Sequence, residues 1–303
     1  MIKRYSPEVV NVWENDKSEY GRGNGKMVGL NYLLRFLEED SPFGDVTSEA
    51  VIPEGTKARA VIIAKQDGVI AGVEEAKALF EYFGAKVSAR KHDGDGVKRG
   101  DVILELEGDA RAILLVERTA LNVMGRMSGI ATEVRKLVER VKAVNPKVRV
   151  AGTRKSLLKP IDKRAIIIGG GEPHRFSLSD AILIKDNHLA LVPLEEAIRR
   201  AKSFSVYKVV EVEVESLEDA LRAAKAGADV IMLDNMSPRE IAETIDALKR
   251  EGLRDRVKIE VSGGITPENI EEYAKLDVDV ISLGYLTHSV KNFDVSLEVI
   301  GKM

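Results

Sequence analysis

The chain has no cysteine at any of its 303 positions. Disulfides, zinc–thiolate centres and thiol nucleophiles are therefore excluded. No apolar run approaches the length of a membrane-crossing helix. Residues Met1-Ile2-Lys3-Arg4-Tyr5-Ser6 lead into polar sequence and not into the apolar core of a signal peptide, so a cytoplasmic protein is the expectation. An excess of charge of one sign is missing as well. A net charge of −3 gives no reason to expect nucleic acid or an anionic membrane as partner, and any basic site must be local. Glutamine occurs once, at Gln66, while Lys, Arg and Glu are abundant. Avoidance of thermolabile side chains in favour of ion pairs points to a thermophilic source. What is there in quantity is 44% hydrophobic and 31% charged residues, the composition of a globular chain with a substantial core. The length allows two domains, or one large barrel with an appendage.

Along the chain, residues 1–28 are polar and punctuated by Gly21, Gly23 and Gly25, which reads as a loosely ordered extension of unknown role. Leu30, Leu33, Leu34 and Leu37 have helical spacing, stopped by Pro42 and Gly44. Residues 29–125 then alternate short β-branched runs (58–64, 69–72, 86–89, 102–106) with Asp-Gly turns and one helix at 74–83. This reads as an α/β sandwich. A long helix over 111–144 leads into residues 126–303, where strands and helices alternate. Strands are expected at 166–168, 181–184, 208–214, 230–233, 257–261 and 278–283, with helices from Ser216, Ser237 and Pro267. Such alternation implies parallel strands joined by right-handed crossovers. The repeat length favours a β/α barrel, with a doubly wound open sheet as runner-up.

Barrels carry their chemistry at the C-terminal ends of strands. Successive strands here end in Lys185, Glu213, Asp234, Ser262-Gly263-Gly264 and Gly284. The glycine turns bring backbone N–H groups within reach of a phosphate. Any one of these alone is better read as a helix cap or a turn; the ordered set is not. Upstream, Thr153-Arg154-Lys155 and His174-Arg175 form a dense cationic cluster. Basic runs are usually solvated faces, but this one lies between apolar segments. Arginine forks match carboxylates, so the cluster calls for a small polyanion.

Residues 151–155 (Ala-Gly-Thr-Arg-Lys), Gly169-Gly170-Gly171 with His174-Arg175 and Asp180, and 183–188 (Leu-Ile-Lys-Asp-Asn-His) resemble the quinolinate phosphoribosyltransferases. So do Gly44-Asp45-Val46-Thr47-Ser48, 117–122 (Glu-Arg-Thr-Ala-Leu-Asn), 211–215, Leu233-Asp234-Asn235, Ser262-Gly263-Gly264-Ile265 and Leu283-Gly284-Tyr285, in the family's order. The likeness runs from residue 30 to about 300. It implies an N-terminal α/β sandwich and a C-terminal β/α barrel with fewer than eight strands. It also implies a homodimer, or an oligomer of dimers, in which each N-terminal half caps its partner's barrel.

The implied reaction joins quinolinate to phosphoribosyl pyrophosphate and releases pyrophosphate and carbon dioxide, giving nicotinate mononucleotide for NAD synthesis. Implied site residues are Arg118, reaching the neighbouring subunit, then Thr153, Arg154, His174 and Arg175 around the two carboxylates. Lys155 and Lys185 would face ligand and pyrophosphate. Glu213 and Asp234 would hold the ribose hydroxyls directly or through Mg2+. Ser262, Gly263, Gly264, Gly284 and Tyr285 would surround the 5′-phosphate. Lys155, Lys185, Glu213 and Asp234 are the implied catalytic set.

The chain departs from the family in two places. Ser156-Leu157-Leu158-Lys159-Pro160 replaces the usual Thr-Thr-Pro-Gly-Leu-Arg, and Gly125 stands where a glutamine is usual. The first leaves open a paralogue acting on nicotinate or another ring, or a non-catalytic phosphoribosyl-ligand sensor. The second reads as a packing change.

Overall fold

A computed structural model describes residues 27–303. The extension read over residues 1–28 lies outside the described residues except for Met27 and Val28. Val28 is buried, and its N–H donates to Glu75 Oε1 at 2.9 Å.

Helix α1 (Leu30–Asp40) buries Leu33 and Leu37, four residues apart on one face. Helix α2 (Val46–Val51) starts at Asp45, whose carboxylate accepts the N–H groups of Thr47 and Ser48. Strand β1 (Lys57–Ala64) buries Ala58, Ala60, Ile62 and Ala64 in strict alternation. β2 (Gly68–Val69), helix α3 (Val73–Tyr82), β3 (Lys86–Ala89), β4 (Gly96–Val97) and β5 (Val102–Asp109) follow. The strand expected at 69–72 is only its first part, because Gly72 already caps α3 with φ +84°.

Helix α4 (Ala110–Val144) runs for 35 residues and crosses the expected division at residues 125 and 126 without a break. Asp109 caps it through the N–H groups of Arg111 and Ala112. Ser128 and Thr132 on its buried face hydrogen-bond both backbone groups of Ala71 and Val69, a side-chain substitute for a ladder partner. Gly125 accommodates the returning chain: a Cβ there would stand 2.9 Å from the Phe293 carbonyl, and the Phe293 N–H donates to Gly125 O at 2.8 Å.

The remaining elements are β6 (Arg149–Gly152), α5 (Lys159–Gly169), β7 (Ile182–Ile184), α6 (Asp186–Leu189), α7 (Leu194–Phe204), β8 (Val210–Val214), α8 (Leu217–Ala226), β9 (Val230–Asp234), α9 (Pro238–Arg250), β10 (Lys258–Ser262), α10 (Ile270–Ala274), β11 (Val280–Leu283), α11 (Tyr285–His288) and β12 (Val295–Lys302). Six strands form one parallel sheet in the order β6-β11-β10-β9-β8-β7. The first strand pairs with the last, and the order otherwise follows the chain. That is a barrel closed on all but one seam, without the reversal a doubly wound sheet requires. At the seam, Glu172 makes a single parallel bridge to Ala151. The second sheet is antiparallel, β12-β1-β5-β3, so the last strand returns to the N-terminal half.

Residues 166–168, expected as a strand, are the last turn of α5. Their β-branched run mimics a strand, but α5 lies on α4. Gly169 and Gly171 permit that packing, since a Cβ at either would stand 2.7–2.9 Å from the Val134 side chain. The helix expected from Pro267 forms only from Ile270. Arg164 of α5 ties the halves together from a buried position, 2.6 Å from Glu75 and 2.7 Å from Asp93. Burial pushes both carboxyls up, and the guanidinium partly restores them.

Candidate active site

The parallel register brings the strand ends level. Gly152 pairs with Leu283, Ser262 with Asp234, and Leu233 with Val214. The residues that follow or close these strands share one rim: Thr153-Arg154-Lys155 after β6, Lys185 after β7, Glu213 near the end of β8, Asp234 closing β9, Ser262-Gly263-Gly264 at β10, and Gly284-Tyr285 after β11. His174-Arg175 joins them at the seam, just past the Glu172 bridge. The sequence-predicted set is therefore assembled, with one exception. Arg118 is exposed on α4 and, among the described residues, has no hydrogen bond or ion pair.

On one side of the rim the charges are mixed. The Lys185 ammonium is ion-paired with the Glu213 carboxylate. Burial and then the neighbouring Glu213 charge raise the Asp234 carboxyl above its ordinary range, while Lys185 and Lys155 pull it back. Asn235 holds Asp234 Oδ2 through its side-chain amide at 2.8 Å, and its own N–H donates to Ser262 O at 3.0 Å. Gly263 and Gly264 have φ +81° and +64°, and Gly263 lies against Asn235 where a Cβ would overlap the side-chain oxygen. Thr153 and Thr287 share a hydroxyl–hydroxyl bond of 2.9 Å, which pins the end of β6 to α11.

On the other side the charge is mostly positive. Among the described residues, Arg154 and Arg175 each bury an Nε–H without a hydrogen-bond partner. Burial and the proximity of Arg154 lower the pKa of Arg175, whose Nη1 donates to Ala181 O at 3.3 Å. His174 Nε2 faces Glu211 at 3.2 Å and Glu260 at 3.5 Å, both buried. Burial alone would lower the His174 pKa, but the glutamates more than reverse it. Burial is also the main cause that pushes Glu260 up to about 7. Only His174 and Asn235, among the described non-glycine residues, have positive φ, 55° in each case. Such backbone persists where surrounding structure enforces it, commonly at functional sites.

The sequence reading passed over three residues here. Glu211 and Glu260 lie beneath His174, one strand position or more inside the barrel; the alternation of β8 places Glu211 on the same side as Glu213. Lys163 of α5 is buried at 1% exposure under the arginines. Its signal was the run Asp162-Lys163-Arg164, charged residues flanked by Ile161 and Ala165 in a helix whose buried face includes all five.

Family models described as the N-terminal and C-terminal domains of quinolinate phosphoribosyl transferase match residues 45–128 and 130–298. The chain belongs to the quinolinate phosphoribosyltransferase family. Among curated relatives of this family, a probable carboxylating nicotinate-nucleotide pyrophosphorylase from Methanothermobacter thermautotrophicus is 49% identical over 276 residues, spanning 90% of this chain and 99% of that protein. One from Archaeoglobus fulgidus is 51% identical over 263 residues, 86% of this chain and 99% of its own length. The crystal structure of NadC from Streptococcus pyogenes superposes with a TM-score of 0.82 at 38% identity, covering 90% and 95% of the two chains. The Ser156–Pro160 departure from the quinolinate phosphoribosyltransferase pattern forms a compact turn. Ser156 Oγ accepts the Leu158 N–H at 2.9 Å, and α5 begins at once with Pro160 in its first turn.

Proposed function

We infer that the protein is a carboxylating nicotinate-nucleotide pyrophosphorylase, converting quinolinate and phosphoribosyl pyrophosphate to nicotinate mononucleotide, pyrophosphate and carbon dioxide for NAD synthesis. The observation that carries this, beside family membership, is the pair of buried, unpartnered Nε–H groups on Arg154 and Arg175 at the same rim as the Lys185–Glu213–Asp234 group. Orphaned buried donors on cations call for an anion. Two arginines, with a histidine whose charged form Glu211 and Glu260 favour, exceed what one carboxylate needs and suit two.

The two sides of the rim divide the chemistry. Arg154, His174 and Arg175 hold the dicarboxylate so that the pyridine nitrogen faces the ribose anomeric carbon. As pyrophosphate leaves, positive charge builds on that carbon, and Glu213 and Asp234 stabilise it while fixing the ribose hydroxyls. Lys185 and Lys155 neutralise the leaving group. Ser262, Gly263, Gly264, Gly284 and Tyr285 surround the 5′-phosphate, with two left-handed glycines exposing backbone N–H groups. Once alkylated, the ring nitrogen is cationic and electrostatically stabilises the carbanion left on the adjacent carbon when the carboxylate departs as carbon dioxide. A proton then replaces carbon dioxide at that carbon.

The donor set also fits Mg2+. Glu213 and Asp234 offer hard carboxylate oxygens from neighbouring strands, and their mutual repulsion favours a cation between them. Mg2+ bound there would neutralise the pyrophosphate oxygens.

The reading includes a homodimer. α2 and its approach expose Phe43, Val46 and Val51, and α2 is tied to the start of α4 through Arg111, which hydrogen-bonds Ile52 O. This apolar surface lies on the half that carries the exposed Arg118, as a composite site between subunits requires.

The test is incubation with phosphoribosyl pyrophosphate, Mg2+ and either quinolinate or nicotinate. Quinolinate is expected to give carbon dioxide and nicotinate mononucleotide, and nicotinate to be inert. Turnover of nicotinate, or inertness of quinolinate, would reject the decarboxylating reading.

A further inference from the structure

Lys163 projects from α5 to a place where, among the described residues, no carboxylate meets it. Its Nζ donates to the carbonyl of Pro173 and, at 3.5 Å, to that of Gly152. These carbonyls belong to the residues immediately before His174 and before Thr153-Arg154. Asp162, next to it in the helix, spends both oxygens on Arg126 at 2.7 and 2.8 Å. Glu260, from β10, is turned to His174. Arg154 beyond β6 and Arg175 at the seam add repulsion from above.

We propose that Lys163 is a positioning residue for the quinolinate carboxylates, its ammonium tying the Arg154 segment to the His174–Arg175 segment and so setting the spacing of the clamp. The inference rests on the quinolinate reading given above. A neutral amine would leave at least one of the two carbonyls less strongly held, so the clamp is at full strength only while Lys163 is charged.

Charge on Lys163 is costly in the ligand-free site. Burial, then Arg154 and Arg175, lower its pKa to about 8, against weaker support from Asp162 and Glu260. A dianion bound between the arginines cancels their repulsion and favours the ammonium. Well below pH 8 the lysine is charged with or without ligand, and affinity is independent of its titration. Above it the free site has lost the proton that the bound site wants. Binding then takes up a proton, and affinity falls as pH rises. Phosphoribosyl pyrophosphate shares only Lys155 with the segment that Lys163 positions and is otherwise held by Lys185, Glu213, Asp234 and the glycine turns, so its affinity changes far less.

Steady-state kinetics with each substrate varied, on the full chain and on Lys163→Met and Lys163→Arg, test the idea. In the parent protein KM for quinolinate is expected to rise through about pH 8 while KM for phosphoribosyl pyrophosphate stays level. At about pH 7, Lys163→Met should raise the quinolinate KM roughly tenfold or more, the scale of losing a hydrogen bond to a charged group. The other KM should stay within about twofold, and the alkaline rise should vanish. Lys163→Arg keeps a permanent charge. It should recover part of the quinolinate KM and also lose the alkaline rise. Equal changes in both KM values, or an alkaline rise that persists in both variants, would overturn the proposal. Should circular dichroism show that neither variant folds, calorimetric titration of the parent with quinolinate in two buffers of different ionisation heat decides. Proton uptake above about pH 8 supports the proposal, and its absence refutes it. Failure of the parent to turn over quinolinate at all would bring down the functional reading instead, and this proposal with it.

Discussion

Asp234 sits where two requirements collide: it closes a barrel strand beside Glu213, and the proposed reaction needs it available to a ligand. Burial and the Glu213 charge both work against its ionisation, so the carboxylate is present at a cost in stability. Asp234→Asn keeps the shape and removes the charge. Its expected effect is a fall in kcat of about two to three orders of magnitude, the scale of removing one pre-organised electrostatic contact. Thermal stability should be unchanged or slightly higher, because a like-charge contact with Glu213 is relieved. Kinetics and a thermal melt check both halves; an unaltered rate would remove Asp234 from the site, and an unfolded variant would recast it as a structural cap. Residues of this kind were legible in the sequence because each ends a strand and carries a polar group where a core would not. Glu211, Glu260 and Lys163 were not, because their role depends on what faces them across the barrel. No spacing along one chain segment reports that Nζ of a helix residue reaches carbonyls 10 or 11 residues away.

The elements show the same division. Capping and periodicity made α4, β1, β8 and α8 readable: Ser216 accepts the Asp219 N–H, and Gly227 ends α8 with φ +93°, as their positions in the sequence imply. The three isoleucines 166–168 misled because β-branched runs favour strands only when nothing else decides, and the surface of α4 decided otherwise. The turn after β10 offers a controlled test at this scale. Gly263 and Gly264 both have left-handed backbone, but a Cβ on Gly263 would overlap Asn235, 2.6 Å from its backbone nitrogen, whereas one on Gly264 meets nothing within 4 Å. Gly264→Ala should cost about 1–2 kcal/mol, the backbone penalty alone. Gly263→Ala should cost about 1–3 kcal/mol more, from overpacking against Asn235. It should also raise KM for phosphoribosyl pyrophosphate by displacing the residue beside Asp234. Thermal melts of the two variants should rank them in that order; equal losses would mean the loop yields and Asn235 is not fixed by Gly263.

At the scale of the whole molecule, the chain order conceals two closures. β6 meets β11 to wrap the barrel, and β12 returns to β1 so that the last strand completes the sheet of the N-terminal half. The return was illegible because residues 295–302 carry exposed Val299 and Ile300 after only half-buried Val295 and Leu297, with no turn signal linking them to a strand more than 200 positions earlier. A third closure is proposed between subunits, and Arg118 is its probe. The side chain is exposed and, among the described residues, unpaired, on a helix that precedes the barrel, while every other member of the clamp lies at the barrel rim. If Arg118 serves the partner's pocket, Arg118→Ala and Lys185→Ala should each be inactive alone, one lacking a substrate contact and the other a charge beside the pyrophosphate. Mixed with subunit exchange, a heterodimer carries one site with both defects and one with neither. Equal amounts mixed at random make about half the dimers hetero, so roughly a quarter of all sites should regain activity in a two-fold assembly. Recovery near that level, with exchange followed by mass difference between tagged chains, establishes the shared site. Exchange without recovery would mean that Arg118 acts on its own barrel, and the exposed α2 surface would then need another explanation.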